Sequence, residues 1–364
     1  MQFWCGTPFM KRPAEAPAVA RMVDEAGYDG MICADHLIYP RELRSPYPSP
    51  SGKPGWAPET PWPDTWVLIG AMAAVTTRLR FSNAVYIAPA RPLLEVAKQV
   101  ATAASLAEGR VSLGVGIGWM REEYELLGQE FSNRGKRLDE MILALRALWQ
   151  GGWVSWDGTY YQVPEMMIEP HPPQPVPILC GGESEAALRR AARLCDGWIG
   201  TAYSWDGAVA HVGKLTALRA EYGRAGEPFD IMVALLERPS PDLYKRAEDI
   251  GITAVMCAPW AAEPGIDEAP TSNATAPPSN GSPNPLWPNA VEPGYRQTVA
   301  SSSPVRASGW AGPRRFLVTV AQNRYIGRSN TVLLIGSSMK WPSRSATMNS
   351  TMISSPTAIP TQLS

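Results

Sequence analysis

Histidine is scarce in this chain: three occur in 364 residues, at positions 36, 171 and 211. They are too scattered to form a metal constellation. The five cysteines are an odd count, and none forms a C-x-x-C pair. Cys5, Cys33, Cys180 and Cys257 fall in apolar runs, which reads as buried core in a reducing cytoplasm. Net charge is nearly absent at −1, so nothing points to nucleic acid or an anionic membrane surface as a partner. No stretch approaches the roughly 20 apolar residues of a membrane helix. The start, MQFWCGTPFM, has no basic segment or extended apolar core of a secretion signal. Acids are missing altogether from Pro293 to Ser364.

What the chain does have is a repeated unit of strand then helix. Apolar runs at Gln2–Thr7, Gly30–Asp35, Arg80–Ile87, Val111–Gly116, Pro177–Cys180, Gly197–Gly200, Asp230–Leu236 and Thr253–Ala258 read as parallel strands buried on both faces. Helical spacing links Val19, Met22, Val23 and Ala26, with Gly27 as the stop. Leu138, Met141, Ile142, Leu145, Leu148 and Trp149 make a second apolar face. Leu188, Ala191, Ala192 and Cys195 make a third, with Ser184 placed to cap it. Eight strands and seven intervening helices predict an α/β fold, a (β/α)8 TIM barrel of roughly 250 residues. A doubly wound sheet needs G-x-G-x-x-G after its first strand. Here Gly114-x-Gly116 follows the fourth strand, and Trp119 stands near the third glycine's place.

Two long insertions interrupt the rhythm. Tyr39–Asp64, rich in proline and tryptophan, follows strand two and is expected at the barrel's C-terminal mouth as a lid. Gly152–Pro175 follows a helix and is expected to pack as a hairpin. After about Trp260 the pattern stops just where the last barrel helix is due. The expected division is therefore a barrel over 1–262 and an irregular tail over 263–364, disordered or the product of a shifted reading frame. Losing that helix uncovers about five large apolar side chains, each about 1.5–3 kcal/mol of burial. That is comparable to the net stability of a domain, about 5–15 kcal/mol.

In such a barrel the chemistry sits where strands end. Asp35-His36 closes strand two, and an imidazole there is placed for proton transfer, with the adjacent carboxylate to orient it. Gly181-Gly182 before a helix opened by Glu183-Ser184 makes a phosphate seat or an ordinary tight turn. Glu122 and Glu123 open another helix, where the macrodipole favours carboxylates; they read as structural.

With these residues in place, the chain resembles the luciferase-like superfamily of flavin- and deazaflavin-dependent oxidoreductases and monooxygenases. The likeness covers approximately Met1 to Pro259. It is carried by ADH (Ala34–His36), TTRLRFSNAVYIAPARPLLEVAKQVATAASLAEGR (Thr76–Arg110), GVGIGWMREEYELLG (Gly114–Gly128), RGKRLDEM (Arg134–Met141) and GGESEAALRRAARLCDGWIG (Gly181–Gly200). The segment YPRELRSPYPSPSG (Tyr39–Gly52) is similar to the deazaflavin branch. The resemblance implies His36 as the proton donor or acceptor beside the ring, supported by Asp35. It implies a strand-three bulge at Ala84–Val85, often a non-proline cis peptide, against which the ring rests. Gly116 and Gly118 would border the ring, and Gly181, Gly182 and Ser184 would meet the cofactor phosphate. Members acting on sugar phosphates carry an acid where Trp119 stands, which argues against that substrate. The cofactor implied is a deazaflavin coenzyme (8-hydroxy-5-deazaflavin), with FMN as the alternative. The implied activity is hydride transfer to or from a small organic substrate, the alternatives being an FMN-dependent monooxygenase or an inactive relative. The resemblance also implies pairing as a homodimer.

Overall fold

The computed structural model describes residues 1–7, 13–49 and 51–258, together with the backbone of 318–325 and 328–335. The chain divides into two units, Met1–Val291 and Glu292–Ser364. In the first, eight parallel strands run β1 (Gln2–Gly6), β2 (Gly30–Cys33), β3 (Arg80–Asn83), β4 (Leu113–Val115), β7 (Ile178–Gly181), β8 (Gly197–Tyr203), β9 (Asp230–Leu235) and β10 (Ala254–Cys257). β10 pairs with β1, so the sheet curls round until only β3 and β4 face each other across a gap. Single bridges at Phe81–Val111 and Tyr86–Val115 span that gap and complete the barrel. Every run read as a strand forms one.

Strand three is shorter than its apolar run because the backbone leaves the ladder at a cis peptide between Ala84 and Val85. It returns at Tyr86, whose N–H donates to the Gly114 carbonyl, and then turns through a short helical turn at Ala88–Ala90. The barrel lumen is filled by Trp4, Ile32, Leu179, Ile199, Met232, Ala254 and Met256. Trp4 occupies space a side chain at position 30 would need: a Cβ on Gly30 would lie 2.4 Å from the indole. A larger core lies between the strands and the helices that cover them.

The helices are α1 (Ala16–Glu25), α2 (Thr65–Ala73), α3 (Leu93–Leu106), α4 (Arg121–Leu126), α5 (Arg134–Leu148), α6 (Glu185–Leu194), α7 (Trp205–Glu221) and α8 (Pro241–Asp249). α5 and α6 bury the faces expected of them. α1 does so only in part. Val23 is buried and Val19 packs on the core as expected, but the buried side is completed by Ala16 and Ala20, while Met22 is 56% exposed. The small alanines let the backbone approach the sheet, so the bulkier Met22 is turned outward. Gly27, at φ +87°, ends the helix as read.

The insertion after α5 is a hairpin, β5 (Val154–Asp157) against β6 (Gln162–Met166), outside the barrel sheet. In the second unit, β11 (Val318–Tyr325) and β12 (Arg328–Ile335) pair antiparallel. The expected absence of a last barrel helix, and the rest of the irregular tail, lie outside the described residues. Among those residues no helix is long and apolar enough to cross a membrane.

Candidate active site

Because β2, β3, β4 and β7 are parallel and adjacent, His36, Val85, Gly116 and Gly181 all fall at one rim. Their relation rests on Val85. A Cβ on Gly116 would lie 2.3 Å from Val85 Cγ2, and one on Gly181 would lie 2.5 Å from Cγ1. The two glycines therefore make room for one isopropyl group, which sits half-buried at the mouth beside half-buried Ala84. Gly116 was expected to border the ring and Gly181 to meet the phosphate; the immediate neighbour of both is this valine. Gly118 takes φ +66° and turns the chain into α4, with Ile87 packed beneath it.

His36 lies in an aromatic shell. The rings of Trp56, Trp62 and Trp119 are centred 5.1, 5.0 and 5.8 Å from the imidazole. Tyr47 closes the outside, with its ring 5.1 Å from both Trp56 and Trp119. Burial pushes the Tyr47 phenol up, so it stays protonated at neutral pH. Tyr47, Trp56 and Trp62 all come from the long insertion, which thus covers the rim as expected. Its anchor is Glu122. That carboxylate accepts the Arg44 and Ser45 amides at 2.6 and 3.0 Å and the Ser45 hydroxyl at 2.7 Å. Arg44 also pairs with Glu125 at 2.6 Å. Burial pushes the Glu122 carboxyl up, but these hydrogen bonds, led by the Ser45 hydroxyl, outweigh it and bring it down to about 2.

Asp35 was expected to support His36. It does not. Its two oxygens take a two-pronged contact from Arg91 at 2.8 and 2.9 Å and the Ile87 amide at 2.9 Å. Burial works against the Arg91 charge, and Asp35 more than restores it, so the guanidinium holds its proton more tightly than usual. Arg91 also donates to the Ile87 carbonyl and lies 4.3 Å above the Tyr86 ring. The pair ties the end of β2 to the segment after β3, and so fixes the rim on which both His36 and Val85 stand.

The carboxylate that does face His36 is Glu123. Its Oε1 accepts the Leu37 amide at 2.6 Å, and its Oε2 lies 3.7 Å from His36 Nδ1. From sequence Glu122 and Glu123 were equivalent helix-opening acids. Consecutive residues on a helix point about 100° apart, and only the fold decides which turns inward.

At β7, Gly182 takes φ +107°, and its carbonyl accepts the Trp198 indole N–H at 2.9 Å. Glu183 is held by the Tyr203 and Thr201 hydroxyls at 2.6 and 2.8 Å. Ser184 caps α6, its hydroxyl accepting the Ala187 amide at 3.3 Å. Residues 182–186 at the opening of α6 are exposed, and the first amides of a helix have no intrahelical acceptor, which suits an anion seat. A cleft of about 610 Å³ between α5 and α6 is lined by Lys136, Asp139, Arg190 and Arg193 and reaches Ala186 in the first turn of α6. Asp139 pairs with both of these arginines, one through each carboxylate oxygen. Among the described residues, no group of three metal-ligating side chains occurs.

A family model described as luciferase-like monooxygenase matches residues 2–236. An uncharacterized protein of Mycobacterium tuberculosis is 42% identical over 239 residues, covering 65% of this chain and 82% of that one. An F420-dependent glucose-6-phosphate dehydrogenase of Nakamurella multipartita is 32% identical over 230 residues, 62% of each chain. Among solved structures, an F420-dependent secondary alcohol dehydrogenase in complex with an F420–acetone adduct superposes with a TM-score of 0.53 at 19% identity, covering 64% of this chain and 68% of that one.

Proposed function

From membership of the luciferase-like monooxygenase family, to which this oxidoreductase chain belongs, we propose a deazaflavin-dependent enzyme. It moves a hydride between the bound coenzyme and a small, uncharged organic molecule. The observation that carries the reading is the rim itself. Val85, clamped by Gly116 and Gly181, offers a flat apolar rest for a tricyclic ring, and His36 stands on the neighbouring strand end. These residues fit such a cofactor: Ala84 and Val85 hold the ring, Gly116 and Gly118 border it, and Gly181, Gly182 and Ser184 at the opening of α6 receive its phosphate. When bound, the coenzyme supplies a two-electron carrier that accepts or gives hydride.

The protein's own groups do the rest. The aromatic shell excludes water from around His36, and His36 handles the proton that accompanies the hydride. Among the described residues, what packs against His36 is three indoles and one carboxylate, none of them a cation that would welcome a phosphorylated sugar. Trp119 stands at the position where sugar-phosphate enzymes of the family carry an acid. An apolar, uncharged substrate fits both facts.

Fluorescence quenching with purified protein, titrated separately with the deazaflavin coenzyme and with FMN, tests the reading. Tighter deazaflavin binding is expected, and tighter FMN binding would overturn the choice of cofactor. His36→Ala is expected to keep that affinity while cutting turnover by about 10²–10⁴. Unchanged turnover removes His36 from the reaction.

A further inference from the structure

Among the described residues, two buried polar atoms at the rim face each other and have no other hydrogen-bond partner. His36 Nδ1 and Glu123 Oε2 are both sealed from solvent, and neither has a hydrogen bond among the described residues. They lie 3.7 Å apart. A buried polar atom left unsatisfied bears its full desolvation cost, larger when it is charged. Two such atoms, each the other's nearest remedy, mark a contact that closes. A movement of about 0.5–1 Å brings them to hydrogen-bond distance, and catalytic hydrogen bonds are often long before substrate binds.

We infer that Glu123 is the positioning residue for His36, holding the imidazole with its proton on Nδ1 and leaving Nε2 to exchange the reaction's proton. The inference rests on the proposed role of His36 and adds what sets that role. Glu123 is itself fixed, because its other oxygen is held by the Leu37 amide at 2.6 Å, one residue beyond His36. One carboxylate thus holds the backbone of this turn and faces its ring. The alternative carboxylate, Asp35, is fully engaged by Arg91 and Ile87. Nε2 has no protein partner among the described residues and, unlike Nδ1, is not sealed off. When the substrate is oxidised, His36 would take its proton, the substrate's O–H or N–H bond breaking as an Nε2–H bond forms, while a bound coenzyme would supply the acceptor for the hydride. The imidazolium so produced has the Glu123 carboxylate as its opposite charge, 3.7 Å from Nδ1. The reverse direction returns the same proton.

The test reads the ring tautomer directly and needs neither cofactor nor substrate. The full chain is labelled with ¹⁵N-histidine and examined at alkaline pH, where a neutral imidazole shows which nitrogen carries hydrogen. With three histidines in the chain, His36→Ala identifies the His36 signals. Wild type is expected as the Nδ1–H form. In Glu123→Gln the amide oxygen keeps the Leu37 N–H, and the NH₂ then faces Nδ1 and donates to it. The tautomer is therefore expected to switch to Nε2–H. An Nε2–H form in wild type, which does not depend on Glu123→Gln folding, overturns the inference, as does a tautomer unmoved by Glu123→Gln. In turnover, Glu123→Gln is expected to lower kcat with KM little changed, by no more than the about 10²–10⁴ of His36→Ala. The double variant is expected to be no worse than His36→Ala alone; additive losses contradict the inference. Should no deazaflavin bind, the functional reading falls while the tautomer result still stands or fails on its own.

Discussion

Gly116→Ala is the smallest change that probes the ring platform. Gly116 has no positive φ, so alanine suits its backbone, and only space decides the outcome. The added methyl would lie 2.3 Å from Val85 Cγ2. Carbon atoms sit comfortably at about 3.5–4.0 Å, so valine or strand must yield by more than about 1 Å. Overpacking of this kind costs about 1–3 kcal/mol. In a barrel of this size each kcal/mol lowers Tm by about 2–4 °C, which predicts a loss of about 2–12 °C by circular dichroism. Val85→Ala removes the offending atom and leaves Cβ at 3.3 Å from the new methyl. In that background Gly116→Ala should cost distinctly less, a coupling of about 0.5–3 kcal/mol in a double-mutant cycle. Gly181→Ala, 2.5 Å from Val85 Cγ1 and only 3.6 Å from Cβ, should behave alike. Equal losses in both backgrounds would refute the idea that the two glycines exist to seat Val85.

Other consequences are independent of it. Arg91→Ala leaves the buried Asp35 carboxylate without its cation and should destabilise by about 3–5 kcal/mol in urea unfolding; a loss under about 1 kcal/mol would deny the pair its role in fixing the rim. The Glu122 carboxyl lies at about 2 when folded, below the ordinary 4.5. Its contribution is complete above about pH 4.5 and is lost as pH falls through about 2. Tryptophan fluorescence of the rim should therefore shift over that window, and Glu122→Gln should show the shifted emission already at pH 6. Emission of Glu122→Gln identical to wild type at both pH values would contradict the anchor. Ser184→Ala removes the α6 cap and should cost about 1 kcal/mol, with weaker binding of the phosphorylated cofactor; melts and titrations unchanged from wild type speak against both roles.

Much of this architecture is readable from local pattern alone. Buried parallel strands are continuous apolar runs, so all eight could be placed, and Ser184 before an apolar helical face is a local cap signal. The hairpin after α5 and the lid-like insertion follow from length and composition. What could not be read depends on partners distant in sequence. Asp35 next to His36 invites the idea of a couple, but Arg91 reaches Asp35 from after β3 and removes it from the imidazole. Glu123 reaches the same imidazole from α4, and nothing local separates it from Glu122. The face of α1 was partly misjudged because hydrophobicity favoured Met22, whereas close helix–sheet approach favoured Ala16 and Ala20. Tyr47, Trp56 and Trp62 carried a signal in the aromatic richness of their insertion, though not the detail that they gather on His36.

The account stands most directly on where the coenzyme ring lies, which a crystal structure of the full chain soaked with the deazaflavin coenzyme would give. The expected result is a ring resting on Val85 between Gly116 and Gly181, with His36 beside it and the phosphate on the first amides of α6. A ring bound in the cleft between α5 and α6, or at the rim but out of reach of both Val85 and His36, would contradict it.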